Sequence, residues 1–395
     1  MSLEADRLIA RFRREAGLEK KAENYPGWEE KQLPGVGLSF YLSGCAKLQA
    51  TTGDARFRER IKHAISELDA CQKANGDGYL LATRNGKRIF KEIESGNIRW
   101  EGGWTLNGEA EPYYAMEKLL SGLRDAYRYA GNATALEIEK RIGDWLDQHM
   151  SHLSEQQMDT LMQCEYGGMN WVLSDLYADT GDARYLALSR RWHDKKIEDP
   201  LASGQDCLPG KHANTQFPKL CGLAARFPYT GDITDRITAA FFWDRVVNHH
   251  TLGLKCPTWC VGGVAILLNG KPQAVTARPG GYASIKRVWQ SGDRVELRFP
   301  MSLRIETMPD NAHKAAFFVG PILLAAAVDD AVAKEGENSL PPVLVAGDHP
   351  LTQALVRSAR NSIDFTLTGI ARPKDLALSP FFRVHDKPYS IGAKR

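Results

Sequence analysis

The sequence predicts a two-domain α + β chain: stacked helical hairpins over residues 1–251, then an antiparallel β-sandwich over residues 252–395. Three observations carry this. A turn of Gly followed by Asp or Asn recurs four times in the first part. The stretches before those turns have the apolar period of helices. From Leu252 the texture changes to short runs with a period of two.

The four turns are Thr52-Gly53-Asp54, Ala130-Gly131-Asn132, Thr180-Gly181-Asp182 and Thr230-Gly231-Asp232. Gly takes the left-handed geometry that ends one helix, and Asp or Asn accepts backbone N–H bonds as the cap of the next. The even spacing of the last three turns fits one hairpin per repeat, and such repeats stack as an open solenoid or close as an α/α toroid. Met116, Leu119, Leu120 and Leu123 fall at i, i+3, i+4 and i+7, as do Met169, Val172, Leu173 and Leu176. Ser154 and Gln157 predict a capping box. The periodicity predicts nine or ten helices before residue 251.

In the second part, Gly262–Leu268 reads as a strand running into an Asn269-Gly270 hairpin turn. Tyr282–Trp289 and Arg294–Phe299 read as strands joined by Gln290–Asp293. Val295, Leu297 and Phe299 alternate with Glu296 and Arg298, the pattern of a half-buried strand. Further strands are expected at Ala315–Val319, Ile322–Ala326, Val343–Val345 and Ile363–Leu367, with a surface loop at Asp329–Pro342.

Composition excludes several classes. Of 395 residues, 43% are apolar and 25% charged, the balance of a soluble globular chain. A net charge of +3 gives no basis for a nucleic-acid or anionic-membrane partner. No apolar run approaches the roughly 18 residues of a membrane span. The N-terminus is charged from Glu4 and has no apolar core, so a cytoplasmic location is expected. The seven cysteines are odd in number and form no CxxC, which implies neither a disulfide framework nor a zinc ribbon.

The segments leading into the first helix of each hairpin are polar and aromatic: Glu111-Pro-Tyr-Tyr114-Ala-Met-Glu117, Glu165-Tyr166-Gly-Gly-Met-Asn170, and His212-Ala-Asn214-Thr-Gln216. In a toroid they converge on one end. Aromatic faces, amides and carboxylates in one cavity suit a sugar, with its C–H faces and many hydroxyls. Tyr114, Tyr166, Asn170, His212, Asn214 and Gln216 are the candidate sugar-binding residues. Glu165 and Glu117 are the candidate catalytic carboxylates, with Asp175 and Glu111 behind them and His212 as a proton donor. No metal ligands are assigned.

These residues resemble the β-L-arabinofuranosidase family, glycoside hydrolase family 127. The resemblance shows in Gly27-Trp28-Glu29, Tyr41-Leu-Ser43, Glu165-Tyr-Gly-Gly-Met-Asn170, Asp199-Pro-Leu201, His212-Ala-Asn-Thr-Gln216 and Phe241-Phe-Trp-Asp244. It resumes in Cys256-Pro-Thr-Trp259, Asn269-Gly270, Pro279-Gly280, Trp289 and Gly292-Asp293. It implies an α/α toroid carrying the active site, followed by a β-sandwich. It also implies a zinc site rich in cysteine, one Cys being the nucleophile, and a general acid/base Glu. The segment that supplies these in the family, and that closes the ring, has no counterpart between Thr251 and Leu252, so the ring is expected to be incomplete. Only Cys256 and Cys260 stand in for the thiols, a poor zinc set.

Three readings follow: a thiolate-and-zinc hydrolase of L-arabinofuranosides, a carboxylate-dependent glycosidase or lyase, and a non-catalytic descendant that binds a glycan. A ring lacking a segment exposes apolar helix faces, so self-association into a homo-oligomer is also expected. A helical scaffold that binds proteins is the alternative from another class.

Overall fold

The computed structural model of the chain describes residues 3–250, 265–274, 284–299, 301–308, 311–327, 343–345, 351–359, 362–372, 374–384, 389–390 and 393–394. Two compact units divide it, Met1–Phe242 and Trp243–Arg395. The Thr251–Leu252 junction, Cys256, Cys260 and the Asp329–Pro342 segment lie outside the described residues.

The first unit begins with α1 (Ala5–Glu15), α2 (Trp28–Lys31), α3 (Val36–Thr52), α4 (Ala55–Asn75) and α5 (Gly86–Glu94), then a small hairpin of β1 (Thr105–Leu106) and β2 (Glu109–Ala110). It continues with α6 (Pro112–Ala130), α7 (Ala133–Met150), α8 (Glu155–Leu161), α9 (Met169–Thr180), α10 (Ala183–Arg191), α11 (Glu198–Ala202), α12 (Ala213–Thr230) and α13 (Ile233–Arg245). These exceed the expected nine or ten because α2, α8 and α11, of four, seven and five residues, are too short to show a period.

All four hairpin joints form as expected. Gly53, Gly131, Gly181 and Gly231 sit at φ 70°, 67°, 75° and 64°. The next side chain then caps the return helix: Asp54 accepts from Arg56 N–H, Asn132 from Ala135, Asp182 from Arg184 and Asp232 from Thr234. The Ser154–Gln157 capping box opens α8. Helices α3, α6, α9 and α12 pack side by side in that order, and α1, α4, α7 and α10 form the outer row, the hairpin layering of an α/α toroid. The periodic residues of α6 and α9, among them Met116, Leu120, Met169 and Leu173, are buried. Helix α13 is tied back by the Arg226–Asp235 pair, with N–O distances of 2.8 and 2.6 Å, and by Phe217 against Phe242.

In the second unit, β3 (Ala265–Leu268), β4 (Lys271–Gln273) and β5 (Val295–Arg298) form a three-stranded antiparallel sheet, with Asn269-Gly270 as the hairpin turn. A larger sheet holds β6 (Leu303–Met308), β7 (Asn311–Val319), β8 (Ile322–Ala327), β9 (Val343–Leu344), β10 (Leu355–Arg357), β11 (Phe365–Leu367), β12 (Ala371–Arg372), β13 (Leu376–Pro380), β14 (Tyr389–Ser390) and β15 (Ala393–Lys394). Its pairs are antiparallel except β15 with β9. Its core is built on Phe317, Val319, Leu324, Phe365, Leu367 and Leu378.

Two expectations fail here. Residues 284–289 are not a strand: Lys286 to Trp289 are all exposed, so no alternating buried face holds them in a ladder. The segment is kept instead by the Arg287–Asp293 ion pair and by Arg287 over the Trp289 ring. β5 does form, but its apolar face is not the buried one: Val295 and Leu297 are 46% and 50% exposed.

Asp235 and Arg226 are both buried, so removing one partner strands a charge. Asp235→Ala is expected to cost about 3–5 kcal/mol, whereas Asp182→Ala, which removes only an exposed cap, should cost about 1 kcal/mol. Urea unfolding of the two variants checks the ranking.

Candidate functional site

Each joint reverses the chain, so α3, α6, α9 and α12 run parallel and their N-termini gather at one end of the unit. The segments leading into α6, α9 and α12 meet there around a cavity of about 540 Å³. That volume is in the range of small-molecule sites.

Trp100 and Trp104 come from the loop before α6, and both are partly exposed on the cavity wall. Cys164 and Glu165 come from the loop before α9, His193 to Ile197 from the loop after α10, and Lys211, His212, Gln216 and Lys219 from the start of α12. The ring of His212 meets Trp104 edge-on, with centroids 5.6 Å apart. Glu165 is nearly buried. Its Oε1 accepts the Gly167 N–H at 2.8 Å, and its Oε2 has no hydrogen-bond partner among the described residues. A buried carboxylate oxygen left unpaired is costly and marks a place where a ligand group can be received.

The loop around Glu165 is held from below. Tyr166 packs on Trp192, Trp192 on Tyr113, Tyr113 on Phe90 and Phe90 on Trp145, with centroid distances of 5.0–5.3 Å. Gly167 sits at φ 61°, and a Cβ there would come within 2.5 Å of Glu117 Oε2, so only glycine fits.

Of the residues expected to face a sugar, Glu165, His212 and Gln216 line the cavity. The others lie outside its wall. Tyr166 is in the aromatic core, with Lys219 Nζ 4.9 Å from its ring. Asn170 is fully buried and ties α9 to its neighbours: its Nδ2 donates to the Lys219 carbonyl at 2.8 Å, and its own carbonyl accepts from Ser174 and Ser189. Tyr114 is half buried, Asn214 is exposed on the first turn of α12, and Asp175 pairs with Arg124 at 2.5 Å. Glu117 is buried beneath Gly167 with Lys118 Nζ 2.7 Å from its Oε2, and burial raises its pKa. The pairing of Glu165 with Glu117 as two carboxylates on one cavity is therefore not what the geometry presents.

Sequence reasoning missed Trp100, Trp104, His193, Asp194 and Lys219. The first two were legible as Trp100-Glu-Gly-Gly-Trp104, two large rings on a glycine loop. His193 sits between two carboxylates, Nδ1 2.8 Å from Glu198 and Nε2 2.7 Å from Asp199. The Glu198 hydrogen bond, then its charge and Asp199, raise its pKa to about 9 against the effect of burial, so the imidazolium persists at neutral pH. Lys219 is buried with its ammonium 2.6 Å from Asp194. The His193 contacts are local, within His193–Asp199, whereas the Lys219 pair joins α12 to the loop after α10 and has no local signature.

The zinc site implied by the family resemblance was tested against the described thiols. Among the described residues, Cys164 is the one cysteine in the cavity wall. Burial pushes its pKa up to about 12, and its Sγ donates to the Trp104 carbonyl at 3.3 Å. Nucleophilic attack requires the thiolate, which this burial disfavours. Among the described residues no cluster of three or more His, Cys, Asp or Glu is placed to hold a metal. The described donors do not fit a zinc ion.

Glu111 precedes α6 at φ 41°, in the left-handed region. Burial, and then the nearby charge of Glu165, push its carboxyl from 4.5 up to about 7. Between pH 4.5 and 7 the folded chain keeps this proton while the unfolded chain loses it, so stability falls as pH rises through that window. Glu111→Gln should flatten this part of the profile and raise the relative stability above pH 7, read from urea midpoints against pH.

A family model described as β-L-arabinofuranosidase, GH127 catalytic domain, matches residues 1–264. The solved structure of a GH127 β-arabinofuranosidase superposes with a TM-score of 0.62 at 14% identity, covering 99% of this chain and 91% of that one. A GH127 β-L-arabinofuranosidase from Geobacillus stearothermophilus T6 gives 0.58 at 14% identity, covering 100% and 94%. At such identities these structures speak for the shared fold. A search of curated proteins finds no significant match. By its match over the helical unit, with the fold in agreement, the chain belongs to the GH127 β-L-arabinofuranosidase catalytic-domain family.

Proposed function

We propose that the helical unit binds an arabinofuranose-containing glycan in the 540 Å³ cavity, and that Glu165 acts on the bound sugar as a general acid/base. The observation that carries this is the nearly buried Glu165 carboxylate, with one oxygen unpaired, in a wall that also presents Trp100 and Trp104. Indole faces stack on the C–H faces of a sugar ring, and the polar groups around them take its hydroxyls. Family membership supports the carbohydrate class of ligand.

A second reading, glycan binding without turnover, is favoured by the withdrawal of Glu117 beneath Gly167. Glycoside hydrolysis ordinarily uses two carboxylates flanking one bond, and of the expected pair only Glu165 reaches the wall.

Purified full-length protein, shown folded by circular dichroism, should be tested on nitrophenyl furanosides and pyranosides, with and without zinc and a thiol alkylator. Release is expected to be insensitive to both and to fall about 100-fold or more in Glu165→Gln. Trp104→Ala should raise KM with a smaller effect on kcat. Calorimetric binding without release selects the second reading. Absence of both release and binding overturns the carbohydrate assignment, and zinc-dependent, alkylator-sensitive release replaces Glu165 with a thiolate.

A further inference from the structure

Trp100 and Trp104 stand on the cavity wall, but the segment that carries them between α5 and α6 holds only the two-residue strands β1 and β2. Residues 99–101 run back along β1, with Trp100 opposite Leu106 and the Glu101 N–H donating to the Thr105 carbonyl at 3.2 Å. The tip between them is Gly102-Gly103, at φ 92° and 54°, which brings no stiffness of its own. The base is the Asn107-Gly108 turn of the β1–β2 hairpin, at φ 49° and 82°.

Asn107 is fully buried. Its Nδ2 donates to Glu92 Oε2 at 2.9 Å and to the Asn97 carbonyl at 2.8 Å, and its Oδ1 accepts the Arg99 N–H at 2.9 Å. Its own N–H donates to the Arg99 carbonyl at 2.9 Å, and its carbonyl accepts from Arg88 at 3.3 Å. One side chain thus ties α5, the approach to Trp100 and the turn after Trp104 together. Glu92 on α5 is the anchor: it accepts from Asn107, from Arg99 at 2.8 Å and from Arg88 at 2.5 Å. These three partners hold its carboxyl down at about 2. At the other end, the Trp104 carbonyl accepts from the Glu111 N–H at 3.0 Å and from Cys164 Sγ at 3.3 Å.

We propose that Asn107 and Glu92 are positioning residues for sugar binding: their buried amide–carboxylate contact fixes the base of the hairpin and presents Trp100 and Trp104 as a preformed stacking wall. A wall ordered in advance spares the ligand the cost of ordering it. This rests on the carbohydrate reading of the cavity. Asn also suits a left-handed turn for its own sake. Asn107→Gly separates the two roles, because glycine keeps the left-handed geometry and removes the amide.

The test compares full-length variants shown folded by circular dichroism. Acrylamide quenching of tryptophan fluorescence needs no ligand. Asn107→Gly should raise it, and the rise should vanish in a Trp100→Phe/Trp104→Phe background. Calorimetric affinity for methyl L-arabinofuranoside should fall about five- to tenfold in Asn107→Gly, the effect of about one hydrogen bond to a charged group. In nitrophenyl furanoside release the loss should fall on KM with kcat largely kept, because Glu165 is held by Gly167 and the aromatic floor. In a Trp100→Ala/Trp104→Ala background Asn107→Gly should add nothing, as expected of a residue that acts through the indoles. Glu92→Gln, which leaves the turn untouched, should give the same pattern at smaller amplitude. Unchanged quenching in both Asn107→Gly and Glu92→Gln overturns the proposal. A loss of affinity that adds in full to that of the two indoles also overturns it. Raised quenching with no sugar binding by the unaltered protein leaves the positioning of the indoles standing and overturns the carbohydrate reading.

Discussion

The helical unit depends on one local constraint, the left-handed glycine followed by an N-capping Asp or Asn. Each joint satisfies orphaned carbonyls of one helix and orphaned N–H groups of the next within two residues. The chain must then reverse, because the two caps leave no residue free to carry it elsewhere. Four reversals place the inner helices parallel. Their C-termini are consumed by tight joints at one end, and everything of variable length and chemistry is left at the other. That end is where Trp100, Glu165, His193 and His212 meet.

Beneath that end the chemistry is set by burial. The aromatic run from Trp145 to Tyr166 is a rigid floor, and Tyr166 fixes the residue before it, Glu165, against the cavity. The same packing withdraws Glu117 under Gly167 and leaves Cys164 protonated. Burial thus selects among the candidate groups. It removes a thiol and one carboxylate from the exposed chemistry and retains one carboxylate with an unsatisfied oxygen.

Charge is organised around this floor in pairs that bridge segments distant in sequence. Lys219 with Asp194 joins α12 to the loop after α10, and Lys195 with Asp159 joins that loop to α8. The buried pair costs desolvation that its attraction must offset, and in return it holds loops that lack regular hydrogen bonding.

The sequence by itself determined the joints, the helices they connect, the capping box and the Asn269-Gly270 hairpin, because each is decided within a few residues by backbone geometry and capping. It also determined the family, through motifs dispersed along the helical unit, and of its candidate residues Glu165, His212 and Gln216 lie on the cavity wall. Tertiary structure decided the rest of the wall. Tyr166 and Asn170 carry the same polar and aromatic signal as true wall residues, yet packing against Trp192 and the Lys219 carbonyl draws them into the core. Trp100, His193 and Lys219 enter the site only because two separate loops and the start of α12 converge, and no local pattern records a convergence that is set by how helices stack.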